Sequence, residues 1–151
     1  MLNVVLIEPE IPPNTGNIGR LCLATGSQLH LVKPLGFLID DKTLRRAGLD
    51  YWADVKVTVW DSYAELQSAN PGGRFWYLTT KSKRRYWDAA FQDGDFLVFG
   101  RETKGLPEPL LNENADRTLT IPMVSESTRS LNLATAAGIV LYEAVRQLNL
   151  S

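Results

Sequence analysis

The stretch Leu119–Leu148, LTIPMVSESTRSLNLATAAGIVLYEAVRQL, decides the fold. Leu119-Thr120-Ile121 alternates briefly, and Pro122 holds Ile121 extended while removing a backbone donor, so a strand over 119–121 should stop there. A hydroxyl-rich loop begins at Met123. Beyond it Leu133, Ala137, Val140, Leu141, Ala144, Val145 and Leu148 recur at three- and four-residue steps, which places one apolar stripe along a helix. Ser130 or Asn132 suits its N-cap. A helix that follows a strand through a polar loop presents unpaired N–H groups outside the strand's carboxyl end, a common ligand position in α/β proteins.

The same unit recurs towards the amino end. Leu2 to Ile7 is almost wholly apolar, as in a strand buried on both faces of a parallel sheet. After the loop EPEIPPNTGN, residues Ile18 to Thr25 read as a short helix, capped by Asn14 or Asn17 and ended by Gly26. Strand patterns at 29–32, 55–59, 75–79 and 96–99 alternate with helix patterns at 41–47 and 62–69, and 55–59 is exposed enough to lie near an edge. The alternation predicts an α/β fold with a mainly parallel sheet and helices on both faces, in one domain spanning residues 1–151.

Composition narrows the chemistry. A net charge of −1 excludes a protein that coats nucleic acid through global positive charge, so any RNA contact must be local. One cysteine, Cys22, excludes an internal disulfide and a Cys-based zinc site, and its apolar neighbours mark it as core. No metal site is expected. The chain opens without a basic leader pattern and contains no membrane-length apolar run, so a cytoplasmic protein without membrane contact is expected. His30, the single histidine, lies in a strand pattern and reads as a strand residue, which disfavours serine-histidine-acid chemistry.

Three motifs remain. In Phe99-Gly100-Arg101-Glu102-Thr103-Lys104-Gly105-Leu106-Pro107 a glycine directly follows a buried strand, which suits close approach of a ligand and equally suits an ordinary strand-to-helix turn. Neither G-x-G-x-x-G nor the P-loop pattern occurs. Asn14 to Arg20 sets a cation beside a glycine-containing loop, either to hold a phosphate bidentately or as a solvated surface arginine. Lys81 to Trp87 combines four cations with Tyr86 and Trp87, types that grip RNA through phosphates and stacking, although most such runs are simply solvated.

Taken jointly, several segments resemble the SPOUT superfamily of RNA methyltransferases, and within it the small tRNA wobble-nucleotide 2′-O-methyltransferases of the TrmL (YibK) type. They are Glu8 to Asn17 with Arg20, Leu44 to Tyr51, Gln92 to Asp95, Phe99-Gly100 with Glu102 and Gly105 to Pro107, and Ile121 to Met123 with Ser130 to Leu133. Arg101 departs from the proline or serine expected at its position. The resemblance covers essentially the whole chain, without an appended RNA-binding domain. It implies a parallel sheet whose C-terminal segment is threaded into a deep trefoil knot, and a homodimer packed through the first and last helices. It implies S-adenosylmethionine as cofactor, held by Leu78, Thr79, Gly100, Glu102, Ile121, Met123, Ser130 and Leu131. The catalytic group would be Arg20 with Asn14, Ser130 and Asn132. The implied substrate is the anticodon stem-loop of tRNA, leucine isoacceptors foremost, methylated on the ribose of a wobble cytidine or modified uridine, with Arg45, Arg46, Lys81, Lys83, Arg84 and Arg85 as RNA contacts. Competing readings are another RNA position, a knotted RNA-binding protein without transfer activity, and a dehydrogenase, the last disfavoured by the missing glycine fingerprint.

Overall fold

A computed structural model describes residues 1–39 and 50–149. Six strands, β1 (Asn3–Ile7), β2 (Gln28–Val32), β3 (Val57–Trp60), β4 (Phe75–Leu78), β5 (Phe96–Phe99) and β6 (Thr118–Leu119), form one sheet in the order β3-β2-β1-β5-β4-β6. Every strand pair is parallel. Parallel strands need crossovers: among the described residues α1 (Pro12–Thr25) joins β1 to β2, α2 (Tyr63–Ala69) joins β3 to β4 and α3 (Glu108–Glu113) joins β5 to β6, while α4 (Leu133–Leu148) follows the last strand and packs on α1. β1 shows why both faces are covered. Val4 and Leu6 enter a core with Ile18 and Cys22 of α1 and Ala137, Val140 and Leu141 of α4, while Val5 and Ile7 point the other way, to Leu66 of α2 and Leu111 of α3. β3 lies at the edge, with Val59 exposed.

Several boundaries differ from the sequence expectation. α1 starts at Pro12, not Ile18, and neither Asn14 nor Asn17 caps it; Ile11 is its N-cap and uses no side chain. The prolines, expected in the loop before the helix, instead occupy its first turn, where a missing N–H costs nothing. Gly26 ends the helix in the left-handed region at φ 64°, as expected. β6 stops at Leu119, so Ile121 falls outside it; Thr120 makes only an isolated bridge to Arg85. Between the two candidate caps of α4, Asn132 is used, its side chain accepting from the amides of Ala134 and Thr135. The helix expected at 41–47 lies outside the described residues. Among those described, no helix is long and apolar enough to cross a membrane.

Candidate active site

A cavity of about 290 Å³ opens at the carboxyl ends of β4, β5 and β6, where open α/β sheets bind their ligands. Its walls are three loops, its floor apolar: Leu78, Phe99, Leu106, Leu111, Ile121, Leu133 and Ala136. All eight residues nominated for the cofactor, Leu78, Thr79, Gly100, Glu102, Ile121, Met123, Ser130 and Leu131, line this one space. For Gly100, backbone geometry explains the residue. A Cβ there would stand 2.2 Å from the backbone of Gly105 and Leu106, because the loop after β5 folds tightly back through paired hydrogen bonds between Arg101 and Gly105.

Glu102 lines the cavity, yet its carboxylate is occupied elsewhere. The amides of Glu10 and Ile11, just ahead of α1, have no partner within the helix and donate to Glu102 Oε1 at 2.9 Å and Oε2 at 2.7 Å. Glu10 returns the contact, accepting from the backbone N–H and hydroxyl of Thr103 at 3.0 and 2.8 Å. These two bonds hold the Glu10 carboxyl below its usual range, helped by the charges of Arg101 and Lys104. Two acids thus clasp the α1 loop to the β5 loop. Sequence reasoning placed both segments near the site but missed the clasp and Thr103, because the partners lie 92 and 93 residues apart in the chain.

The clasp continues into the last helix. Asn14, buried in the first turn of α1, donates to Glu102 Oε2 at 3.4 Å and accepts at Oδ1 from Asn132 at 3.1 Å. Asn132 in turn caps α4, so one side-chain chain joins the N-termini of α1 and α4 to the cavity wall. Ser130 lines the cavity and is exposed. Arg20 does not line it. It lies about two turns into α1, exposed, with its guanidinium 5.5 Å from the centre of the Tyr51 ring. Tyr51 is fixed by donating to the Gly16 carbonyl at 2.8 Å, and no carboxylate among the described residues pairs with Arg20.

The basic run is largely engaged locally. Lys81 pairs with Glu108 at 2.7 Å and Arg85 with Asp88 at 3.1 Å, Arg84 stacks 5.1 Å from the Trp76 ring, and Lys83 makes no ion pair among the described residues. Such exposed pairs are worth under about 1 kcal/mol and give way to a polyanion. Arg45 and Arg46 lie outside the described residues. Burial pushes the Cys22 thiol up to about 12, which removes it as a nucleophile.

A family model described as the SpoU rRNA Methylase family matches residues 1–142. The tRNA (cytidine(34)-2'-O)-methyltransferase of Escherichia coli strain K12 is 53% identical over 150 residues, covering 98% of this chain and 94% of its own. A solved structure described as "Structural insights into the 2-OH methylation of C/U34 on tRNA" superposes with TM-score 0.92 at 46% identity, over 99% of this chain and 97% of that one. The SpoU methyltransferase AviRb of Streptomyces viridochromogenes, in complex with the cofactor AdoMet, superposes with TM-score 0.82 at 27% identity, over 100% of this chain and 62% of its own.

Proposed function

The chain belongs to the SpoU rRNA methylase family, and from that membership we propose that it transfers the methyl group of S-adenosylmethionine to the ribose 2′-hydroxyl of the wobble nucleotide, position 34, of tRNA. The observation that carries this reading is the convergence of the loops after β4, β5 and β6 on one cavity beside the clasp of Glu102, Asn14 and Asn132, in a chain matching a named wobble methyltransferase almost end to end. The lining suits the cofactor: an apolar floor for the flat adenine, and loop backbone on three sides to meet its edges. When bound, the cofactor supplies an electrophilic methyl on a sulfonium. The cavity residues Leu78, Thr79, Gly100, Ile121, Met123 and Leu131 hold it, and Glu102 acts through the clasp.

The protein's task is to orient a weakly acidic hydroxyl for in-line attack, and positioning supplies much of such an acceleration. A guanidinium, with a pKa above about 12, rarely gives up a proton. Arg20 therefore serves as a phosphate grip beside the target ribose, polarising its hydroxyl, with Tyr51 steadying the guanidinium. Ser130 and Asn132 set the nucleophile, and Asn14 holds Asn132 in place. We further infer a C-terminal knot, since the chain passes from central β5 to edge strand β6 and returns to pack α4 on α1, and a homodimer through those helices, whose outer faces expose Leu23 and Tyr142. The anticodon stem-loop meets Lys81 to Arg85 and Arg45-Arg46.

Nucleoside mass spectrometry of tRNA from a strain lacking the gene tests the activity. Loss of 2′-O-methylation at position 34 is the expected result; unchanged methylation at every tRNA position overturns the reading.

A further inference from the structure

The cavity is more basic than its cofactor needs. Lys81, Arg101, Lys104 and Arg129 line it against a single acid, Glu102, although the whole chain carries a net charge of −1. Glu102 has both oxygens engaged at the start of α1, and Lys81 is paired with Glu108. Arg101, Lys104 and Arg129 form no direct ion pair among the described residues, the charges of Arg101 and Lys104 reaching the Glu10 carboxylate only at longer range. Arg101 stands apart from the other two. Its backbone is pinned by bonds to Gly105 in both directions, and its Nε is buried yet donates to nothing among the described residues. A buried donor without an acceptor is costly, and a guanidinium fork matches a phosphate or carboxylate.

S-adenosylmethionine carries a sulfonium and an ammonium against one carboxylate, so it is itself a cation. A rim with more cations than acids disfavours such a ligand, whereas a phosphodiester laid across the mouth cancels the repulsion. Resting on the methyltransferase reading above, we propose that Arg101 holds a phosphate of the RNA at the cavity mouth, so that the positive rim serves the nucleic acid and not the cofactor. RNA and cofactor then bind with positive coupling, which is reciprocal. The demethylated product, lacking the sulfonium charge, binds the protein alone more tightly than the cofactor does.

The test uses Arg101→Gln and Arg101→Lys beside the unaltered chain, with calorimetry of S-adenosylmethionine and anisotropy of an anticodon stem-loop RNA over a salt series. For Arg101→Gln the expected result is RNA binding weakened roughly 5- to 10-fold, a salt dependence shallower by about 0.7–0.9 in log-log slope, and cofactor affinity in the absence of RNA equal or higher. Arg101→Lys should keep the salt slope while losing part of the affinity, and carries the test if the glutamine variant fails to fold. A cofactor affinity about tenfold weaker with RNA binding unchanged would assign Arg101 to the cofactor's carboxylate and overturn the proposal. So would an unchanged profile in both assays. If the unaltered chain binds neither ligand, the methyltransferase reading itself falls, a result distinct from either.

Discussion

Arg20 and His30 illustrate how far a single residue can be read. Arg20, beside its Tyr51 platform, can present a planar fork in a fixed orientation, which lysine cannot reproduce. Arg20→Lys should therefore lower methyl transfer by about 10²-fold while leaving cofactor affinity unchanged; near-normal turnover in single-turnover assays would exclude a bidentate role. His30 was legible as a strand residue, and its reason is now visible. It is buried, accepts from Trp60 Nε1 at 3.0 Å through Nδ1, and meets Asn3 Oδ1 at 2.9 Å through Nε2, an arrangement for the neutral ring. Burial lowers its pKa from 6.5 to about 4. Between those values the unfolded chain binds a proton that the folded chain refuses, so this contribution is complete above about pH 6.5 and is lost as pH falls towards about 4, by at most roughly 1.4 kcal/mol per pH unit. Urea titrations at several pH values should give a steeper acid loss for the unaltered chain than for His30→Gln, and parallel losses would contradict this.

At the scale of elements, sequence periodicity located the strands well because buried parallel strands are apolar runs, and it failed at the start of α1 because capping there is not local. Side chains close in sequence, such as Asn14 and Asn17, are the natural candidates for a cap; the acceptor that fixes the entry to α1, Glu102, lies 91 residues from Ile11. Pattern reading found the two loops separately, and family resemblance brought them to one site, but only the fold shows that each loop's acid serves the other's amides. Glu102→Ala should remove charge-assisted bonds to two amides and the hold on Asn14, costing about 2 kcal/mol of stability. Because the wall of the cavity slackens with it, cofactor affinity should fall more than tenfold. A thermal midpoint equal to that of the unaltered chain would show that the clasp is incidental.

For the whole molecule, the sheet order explains what the alternation of strands and helices left open. Neighbours in sequence need not be neighbours in the sheet: β5 sits between β1 and β4, and β6 lies outside β4, an arrangement no periodicity encodes. The apolar stripe of α4 packs on the chain's own core, Leu133, Val145 and Leu148 lying partly buried against it. Ala137, Val140, Leu141 and Ala144 are fully buried within the chain, while Tyr142 of α4 is 47% exposed and Leu23 of α1 is 42% exposed. The two helices pack closely, a Cβ at Gly138 meeting Leu21 at 3.4 Å, and each leaves a large apolar side chain in water. In the proposed homodimer a second copy would cover these side chains and bring two sets of basic side chains onto one assembly, which suits a compact RNA hairpin. Sedimentation equilibrium should accordingly give about twice the chain mass of 16.9 kDa. The double variant Leu23→Glu with Tyr142→Glu buries charges that have no partner, so it should shift the equilibrium to monomer and weaken RNA binding while the far-ultraviolet spectrum is retained. A unaltered chain that sediments at its monomer mass at micromolar concentration would rule the dimer out.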